Sequence, residues 1–283
     1  MRITIAKIAS MVIGTLLIFS CIPKADTTEI GKTHRIEGKS AVELSQIQLE
    51  ALKNKTSFAE SQAELTAIDR KDLDAQLDTE AKRFAFWVNI YNANIMIALR
   101  ANPDLYNDRG EFFKKERVML AGKKLSFDDI EHGIIRKSTF KLSKGYIRNP
   151  FPGSYERDFR VDKKDPRIHF VLNCGAKDCP PVYIYDPETL DQDFDKVAKA
   201  YLTKVSKYDA DNKKVETTPL FNWFTGDWGG MGGVKDMLSG YGIIPESHKK
   251  IDVDFRGYDW TLDVYNFGDD LDKSSASLDF MLK

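Results

Sequence analysis

The chain has 283 residues and a mass of 32.2 kDa, with 42% hydrophobic and 30% charged residues, enough length and apolar content for a substantial core. Lys and Arg number 42 against 43 Asp and Glu, a net charge of −1. That balance excludes the broad basic field with which a protein holds nucleic acid or an anionic surface, and short blocks such as FFKKERV and SHKKID read as solvated faces.

At the N-terminus, Arg2 and Lys7 border an apolar run from Ile8 to Phe19. Its length suits the core of a signal peptide and falls short of the roughly 20 residues of a spanning helix. Ile18-Phe19-Ser20-Cys21 resembles a bacterial lipobox, with Phe19 a bulky choice at its position. In such a motif the cysteine receives diacylglycerol and becomes the mature N-terminus. The alternative is a plain secretory signal with an unrelated cysteine. Ile22 follows, so no aspartate signals retention in an inner membrane. The expected organisation is a lipoprotein signal peptide over 1–20, a polar tether over 21–39, a folded domain over 40–268 and a polar tail over 269–283. The expected location is the cell envelope, lipid-anchored at the outer membrane and facing the periplasm or the surface.

Within the domain, Val42, Leu44, Ile47 and Leu52 repeat at a helical period, and Leu73 and Leu77 suggest a second helix. AKRFAFWVNIYNANIMIALRANP is apolar nearly all round, the mark of a buried central helix, and Asn102-Pro103 ends it. VMLAGKKLSF reads as a small hairpin about Gly122. Ser126 and Asp129 form a capping-box pattern that opens the next helix, with Leu125 and Ile130 at the staple positions. Residues 141–166 read as a long loop, and Arg167–Leu172 as a strand. Asp186-Pro187 starts another helix, and KVETTPLFNWF reads as a short strand running into a helical turn. IDVDFRGYDWTLDVYN alternates and predicts a hairpin about Arg256-Gly257. GGMGG lacks the Lys-Ser/Thr and the preceding strand of a phosphate loop. The predicted fold class is α+β: a single mixed domain with a central buried helix against a small, mostly antiparallel sheet.

Three constellations can carry chemistry. Cys174 and Cys179 flank a turn containing Gly175 and end at Pro180-Pro181. They form either a short disulfide or buried thiols, or Cys174 is a nucleophile. Asp128, His132 and Arg136 recur at i, i+4 and i+8, so that Asp128 can orient an imidazole that acts as a base; an ordinary charge ladder is the plainer reading. Glu131 serves instead if the helix is rotated. His169 lies five residues before Cys174, and a packed, hydrogen-bonded histidine is its plainer role. Asn89 and Asn92 share a face of the central helix, where they latch the cysteine turn or line a polar pocket. His34 and His248 lie in the tether and a late loop and carry no assignment. Cys174, Cys179, His132 and His169 fit no zinc-ligand spacing, so no metal and no cofactor are expected.

AFWVNIYNA, LSFDDIEHGIIR, DPRIHFVLNCGAKDCPP and, more weakly, LFNWFTGDWG follow one another from about Arg83 to Gly229. Together they resemble the successive signature blocks of the family called domain of unknown function 547. The family's characteristic positions fall on Asn89, Asn92, Asp128, Glu131, His132, Arg136, His169, Asn173, Cys174 and Cys179; Trp228 stands where the family pattern suggests Phe. The resemblance implies an exported bacterial protein and assigns no activity.

Two readings remain open. In the first, a papain- or transglutaminase-like thiol hydrolase or acyltransferase acts on amide bonds. Cys174 is the nucleophile, His132 the base, Asp128 the orienter, and amides near Gly175 are the oxyanion donors. Asn89, Asn92, Glu131, Arg136, His169 and Asn173 form its polar pocket. In the second, an anchored envelope module with a Cys174–Cys179 disulfide holds a peptide, glycan or small anion in a groove lined by Tyr91, His132 and Arg136. The expected partners are a membrane, through the lipid on Cys21, and a cell-wall peptide or envelope protein; no nucleic acid is expected.

Overall fold

The computed structural model describes residues 38–247 and 250–268, all within one compact unit. The signal-like run, Cys21, His34, His248 and the tail from 269 lie outside the described residues.

The architecture is α+β. Helix α1 (Ala41–Asn54) opens on a capping box in which Ser40 accepts from the Glu43 amide while the Glu43 carboxylate accepts from the Ser40 amide. Helices α2 (Ala59–Ala67) and α3 (Arg70–Gln76) follow, then the long α4 (Glu80–Ala101). Thr79 caps α4, and Pro103 begins the 3-10 turn beyond it. Phe86, Trp87, Val88, Ile90 and Ile95 of α4 are fully buried, because the helix has core on nearly every side. One cluster holds Trp87 and Tyr91 with Phe127, Ile134 and Phe159; another sets Ala93 and Met96 against Leu49 and Leu52 of α1.

After α5 (Arg109–Lys114) comes the predicted hairpin, β1 (Val118–Leu120) paired antiparallel with β2 (Lys123–Leu125). Ser126 and Asp129 exchange the expected capping bonds: Ser126 Oγ accepts from the Asp129 amide at 3.0 Å, and Asp129 Oδ2 accepts from the Ser126 amide at 2.9 Å. The helix so started widens into a π-helix over Asp129–Ile135, with Arg136 N donating to Glu131 O. Such wide turns are rare and concentrate at functional sites. The expected loop over 141–166 contains a 3-10 turn (Lys141–Ser143) and α6 (Ser154–Phe159).

Two expectations are corrected. Arg167–Leu172 is no strand: Pro166–Phe170 is a 3-10 helix capped by Asp165, whose carboxylate accepts from the Arg167 amide. Ile168, His169 and Phe170 are all buried, so the run lacks the alternation that separates a half-buried strand from a buried helical turn. The hairpin about Arg256-Gly257 also does not form. α7 (Leu190–Val205) leads into β3 (Lys207–Asp209), which pairs antiparallel with β4 (Lys214–Thr217). β4 is followed by α8 (Leu220–Trp223) and α9 (Met231–Gly240), and β5 (Asp252–Phe255) then pairs in parallel with β4. The chain after β5 folds onto the cysteine turn instead. Lys177 N donates to Thr261 O, and Asp263 N donates to Gly175 O, each at 2.8 Å. Alternation marks a strand's faces and leaves its partner undetermined.

Candidate functional site

The π-helix, the cysteine turn, α8 with Phe224 after it, and the Tyr258–Trp260 stretch converge on a cavity of about 360 Å3. Asp128, Glu131, His132, His169, Cys174 and Cys179 all reach its wall. The fold therefore brings most of the predicted site residues together.

The cysteine turn is built from its backbone outward. Asn92 on α4 donates to Val171 O at 2.9 Å and accepts from Asn173 N at 2.8 Å. Asn173 in turn accepts from Gly175 N and donates to Pro180 O, each at 2.8 Å. Gly175 has φ +88°, and a Cβ there would stand 2.6 Å from Leu99 Cδ1, so only glycine fits. Cys174 and Cys179 are joined as a disulfide, their Cα atoms 6.2 Å apart. Tyr258 Oη lies against the bridge, donating to Cys179 Sγ at 3.3 Å.

Asn89 is a latch as well, but on a different segment: it donates to Tyr185 O at 2.9 Å and accepts from Tyr185 N at 3.0 Å. Both asparagines are fully buried, and both commit their amides to backbone. Their expected place in a polar pocket is thereby corrected; Asn173 is likewise a staple of the turn.

The imidazole of His132 is held between charges. Arg136 Nη1 lies 2.8 Å from His132 Nδ1. A guanidinium only donates, so Nδ1 accepts and the proton sits on Nε2. Nε2 faces Asp128 Oδ1 at 3.6 Å, too long for a hydrogen bond, and Asp128 is drawn to Lys141 Nζ at 2.8 Å. Burial, then the Arg136 charge, push the His132 pKa down to about 3. The lone pair that a base needs is therefore the one Arg136 covers. The expected arrangement, with one nitrogen oriented by Asp128 and the other free, does not occur. Glu131 instead accepts from the Tyr91 hydroxyl at 3.1 Å, and burial, followed by that carboxylate, raises the tyrosine's pKa. The backbone donors expected of an oxyanion site are committed too: Gly175 N to Asn173, and Cys174 N to Cys179 Sγ at 3.0 Å.

Behind His132 lies an ion network centred on Asp227, whose side chain is 2% exposed. Its Oδ2 accepts from Arg136 Nε and from His169 Nε2, each at 2.8 Å, and its Oδ1 accepts from Lys164 Nζ at 2.7 Å. Burial alone would raise this carboxyl, but His169 and Arg136 outweigh it and keep Asp227 ionised far below the usual range. Burial lowers the His169 pKa, so His169 is a neutral Nε2–H donor. Its ring stacks on Phe224 with centroids 3.9 Å apart and 13° between planes. Among the described residues, no hydrogen bond joins either imidazole to Cys174 Sγ.

Sequence reasoning missed Asp227 and the aromatic wall. Trp223 and Trp260 stack at 5.5 Å, and Arg109 lies over Trp260 at 4.7 Å. The one signal for Asp227 was an acid amid the aromatic residues of LFNWFTGDWG, a setting that favours burial with a partner.

Fold and site thus define an α+β domain with a disulfide-edged aromatic cavity over a buried ion network. Residues 75–202 match the family described as "Protein of unknown function, DUF547", so this segment, from α3 into α7, carries that domain. No curated protein and no solved structure matches the chain.

Proposed function

We propose that this is a binding module of the bacterial cell envelope, exported and held to a membrane by lipid on Cys21, whose cavity takes a cell-wall peptide. One observation carries the reading. The cavity is lined by an aromatic wall of Trp223, Tyr258 and Trp260, with Arg109 over Trp260, and by Asp128, Glu131 and Lys141, while the sulfur of Cys174 is bonded to Cys179. A short peptide offers an ammonium, a carboxylate and apolar side chains to match these three features. The disulfide shapes the turn, and the committed imidazole and amides support recognition over catalysis.

The test is a titration of the full chain with cell-wall stem peptides, read by tryptophan fluorescence from Trp223 and Trp260. Saturable quenching that Glu131→Gln and Trp260→Ala each weaken about tenfold is expected. Absence of any saturable change at millimolar peptide would overturn the reading.

A thiol enzyme is the second reading, favoured by one observation: His169, oriented by Asp227, lines the same cavity as Cys174. Once a dithiol reductant opens the bridge, His169 Nδ1 takes the Cys174 thiol proton, the thiolate attacks an amide carbonyl, and the C–N bond breaks as the amine leaves with that proton, giving a thioester that water hydrolyses. Under reductant, iodoacetamide should then label Cys174 first, and His169→Ala should slow that labelling about tenfold. Equal rates in the two proteins would remove it.

A further inference from the structure

The balanced charge of the whole chain hides a local excess. From Lys137 to Gly153 the sequence contains Lys137, Lys141, Lys144 and Arg148 and no Asp or Glu. The same stretch holds Phe140, Leu142, Tyr146, Ile147 and Phe151, all exposed; Leu142 is 95% and Phe151 88% accessible. Among the described residues, only Met119 and Tyr265 are other large hydrophobics so exposed. Apolar side chains of this size standing in water over one short stretch mark a contact surface.

The stretch is held firmly from below. Thr139 and Arg148 form an antiparallel bridge, Phe140 N donates to Ile147 O at 2.9 Å, and Asn149 N donates to Ser138 O at 2.6 Å. Gly226 N donates to Lys144 O at 2.7 Å, and a Cβ on Gly226 would stand 2.7 Å from the Tyr146 backbone nitrogen. Leu142 therefore sits at the tip of a braced hairpin. At its base, Arg148, Arg157 and Arg160 line a hollow with Pro150, Phe151 and Pro152, and no carboxylate joins them. Arg157 donates to Pro152 O and Arg160 to Ser138 Oγ. Among the described residues, none of the three arginines forms an ion pair.

We propose that this hairpin docks on an anionic lipid bilayer, the hollow of Arg148, Arg157 and Arg160 holding lipid phosphate while Leu142, Tyr146 and Phe151 enter the headgroup–acyl boundary. Arginine forks match phosphate oxygens, and apolar tips beside cations are the chemistry of a peripheral membrane contact. A protein partner fits less well, since one hairpin tip is small beside the roughly 800 Å2 per side of a stable interface. Among the described residues, no helix is long and apolar enough to cross a membrane, so this contact is peripheral. It is independent of the cavity's occupant and of Cys21.

The experiment measures amide hydrogen exchange, by mass spectrometry, in the full chain with vesicles of phosphatidylglycerol and phosphatidylcholine, with vesicles of phosphatidylcholine alone, and with inorganic phosphate. Exchange over residues 138–151 should slow about fivefold on the anionic vesicles and stay nearly unchanged in the other two arms. K144E/R148E and L142S/F151S should each remove that protection. All four side chains are exposed, so the thermal midpoint should hold and any protection of residues 1–37 should persist. Protection confined to residues 1–37, equal protection in the substituted chains, or phosphate alone reproducing the effect would each overturn the proposal.

Discussion

Asp227 Oδ2 accepts hydrogen bonds from Arg136 Nε and His169 Nε2 at the same 2.8 Å distance, so one buried carboxylate fixes the π-helix and the 3-10 helix together. Removing it leaves the Arg136 guanidinium, 1% exposed, without a counterion. Breaking a buried ion pair from one side costs about 3–5 kcal/mol. Asp227→Ala should lose that much unfolding free energy in denaturant titration, and Asp227→Asn, which keeps the shape, should lose less. A loss under about 1 kcal/mol in Asp227→Ala would show that Arg136 finds water or another acceptor and that Asp227 is no keystone.

The pH profile follows from the two buried imidazoles. Both are neutral when folded, with His132 held down to about 3 and His169 lowered as well, in each case chiefly by burial. An unfolded histidine protonates near pH 6.5. Below that the unfolded chain binds more protons, so the contribution is full above about pH 6.5 and declines as the pH falls towards 3. For His132 the decline reaches about 2 kcal/mol by pH 5. His132→Gln, which cannot charge, should have a flatter stability curve between pH 7 and 5 by that amount. Parallel curves for the two proteins would mean that His132 titrates normally.

The central helix was legible because its signals are local: α4 is apolar on both faces and stops at a proline. The start of the π-helix was legible for the same reason, since Ser126 and Asp129 are three residues apart. Its widening was not, because nothing in LSFDDIEHGIIR distinguishes a carbonyl bonded four residues on from one bonded five on. The ion network was illegible for a stronger reason: Asp227 lies 91 residues from Arg136 and 58 from His169. Long-range pairing of polar groups leaves no periodic trace in a sequence, whereas burial of apolar ones does. The i, i+4 spacing did place Arg136 beside His132. What it could not supply was the direction of the bond, in which Arg136 donates to Nδ1 and occupies the lone pair that a base would use.

Asn92 gives a test of the scaffold separate from the charges. Its side chain bonds both Val171 O and Asn173 N within a fully buried site. Asn92→Ala leaves one donor and one acceptor unsatisfied, a cost of about 2–4 kcal/mol. The turn that carries the disulfide should loosen with it, so dithiothreitol should reduce Cys174–Cys179 faster than in the parent chain. Asn94→Ala removes only a bond to Ile90 O within the helix and is the control. Equal reduction rates in the two variants would refute the latch, whatever the change in stability.

The disulfide itself should contribute modestly. It spans five positions in sequence, and so short a loop removes little unfolded-chain freedom, about 2 kcal/mol in the chain-entropy account. Cys174→Ser with Cys179→Ser should therefore remain folded at 25 °C, with an unfolding free energy lowered by about 2 kcal/mol and a denaturant midpoint lowered in proportion. The native chain, opened in denaturant without reductant, should have no alkylation at either sulfur and a mass two hydrogens lighter than the reduced form. Alkylation of both cysteines under those conditions would mean that the thiols are free, and the cavity would then be open to the chemistry of a nucleophile.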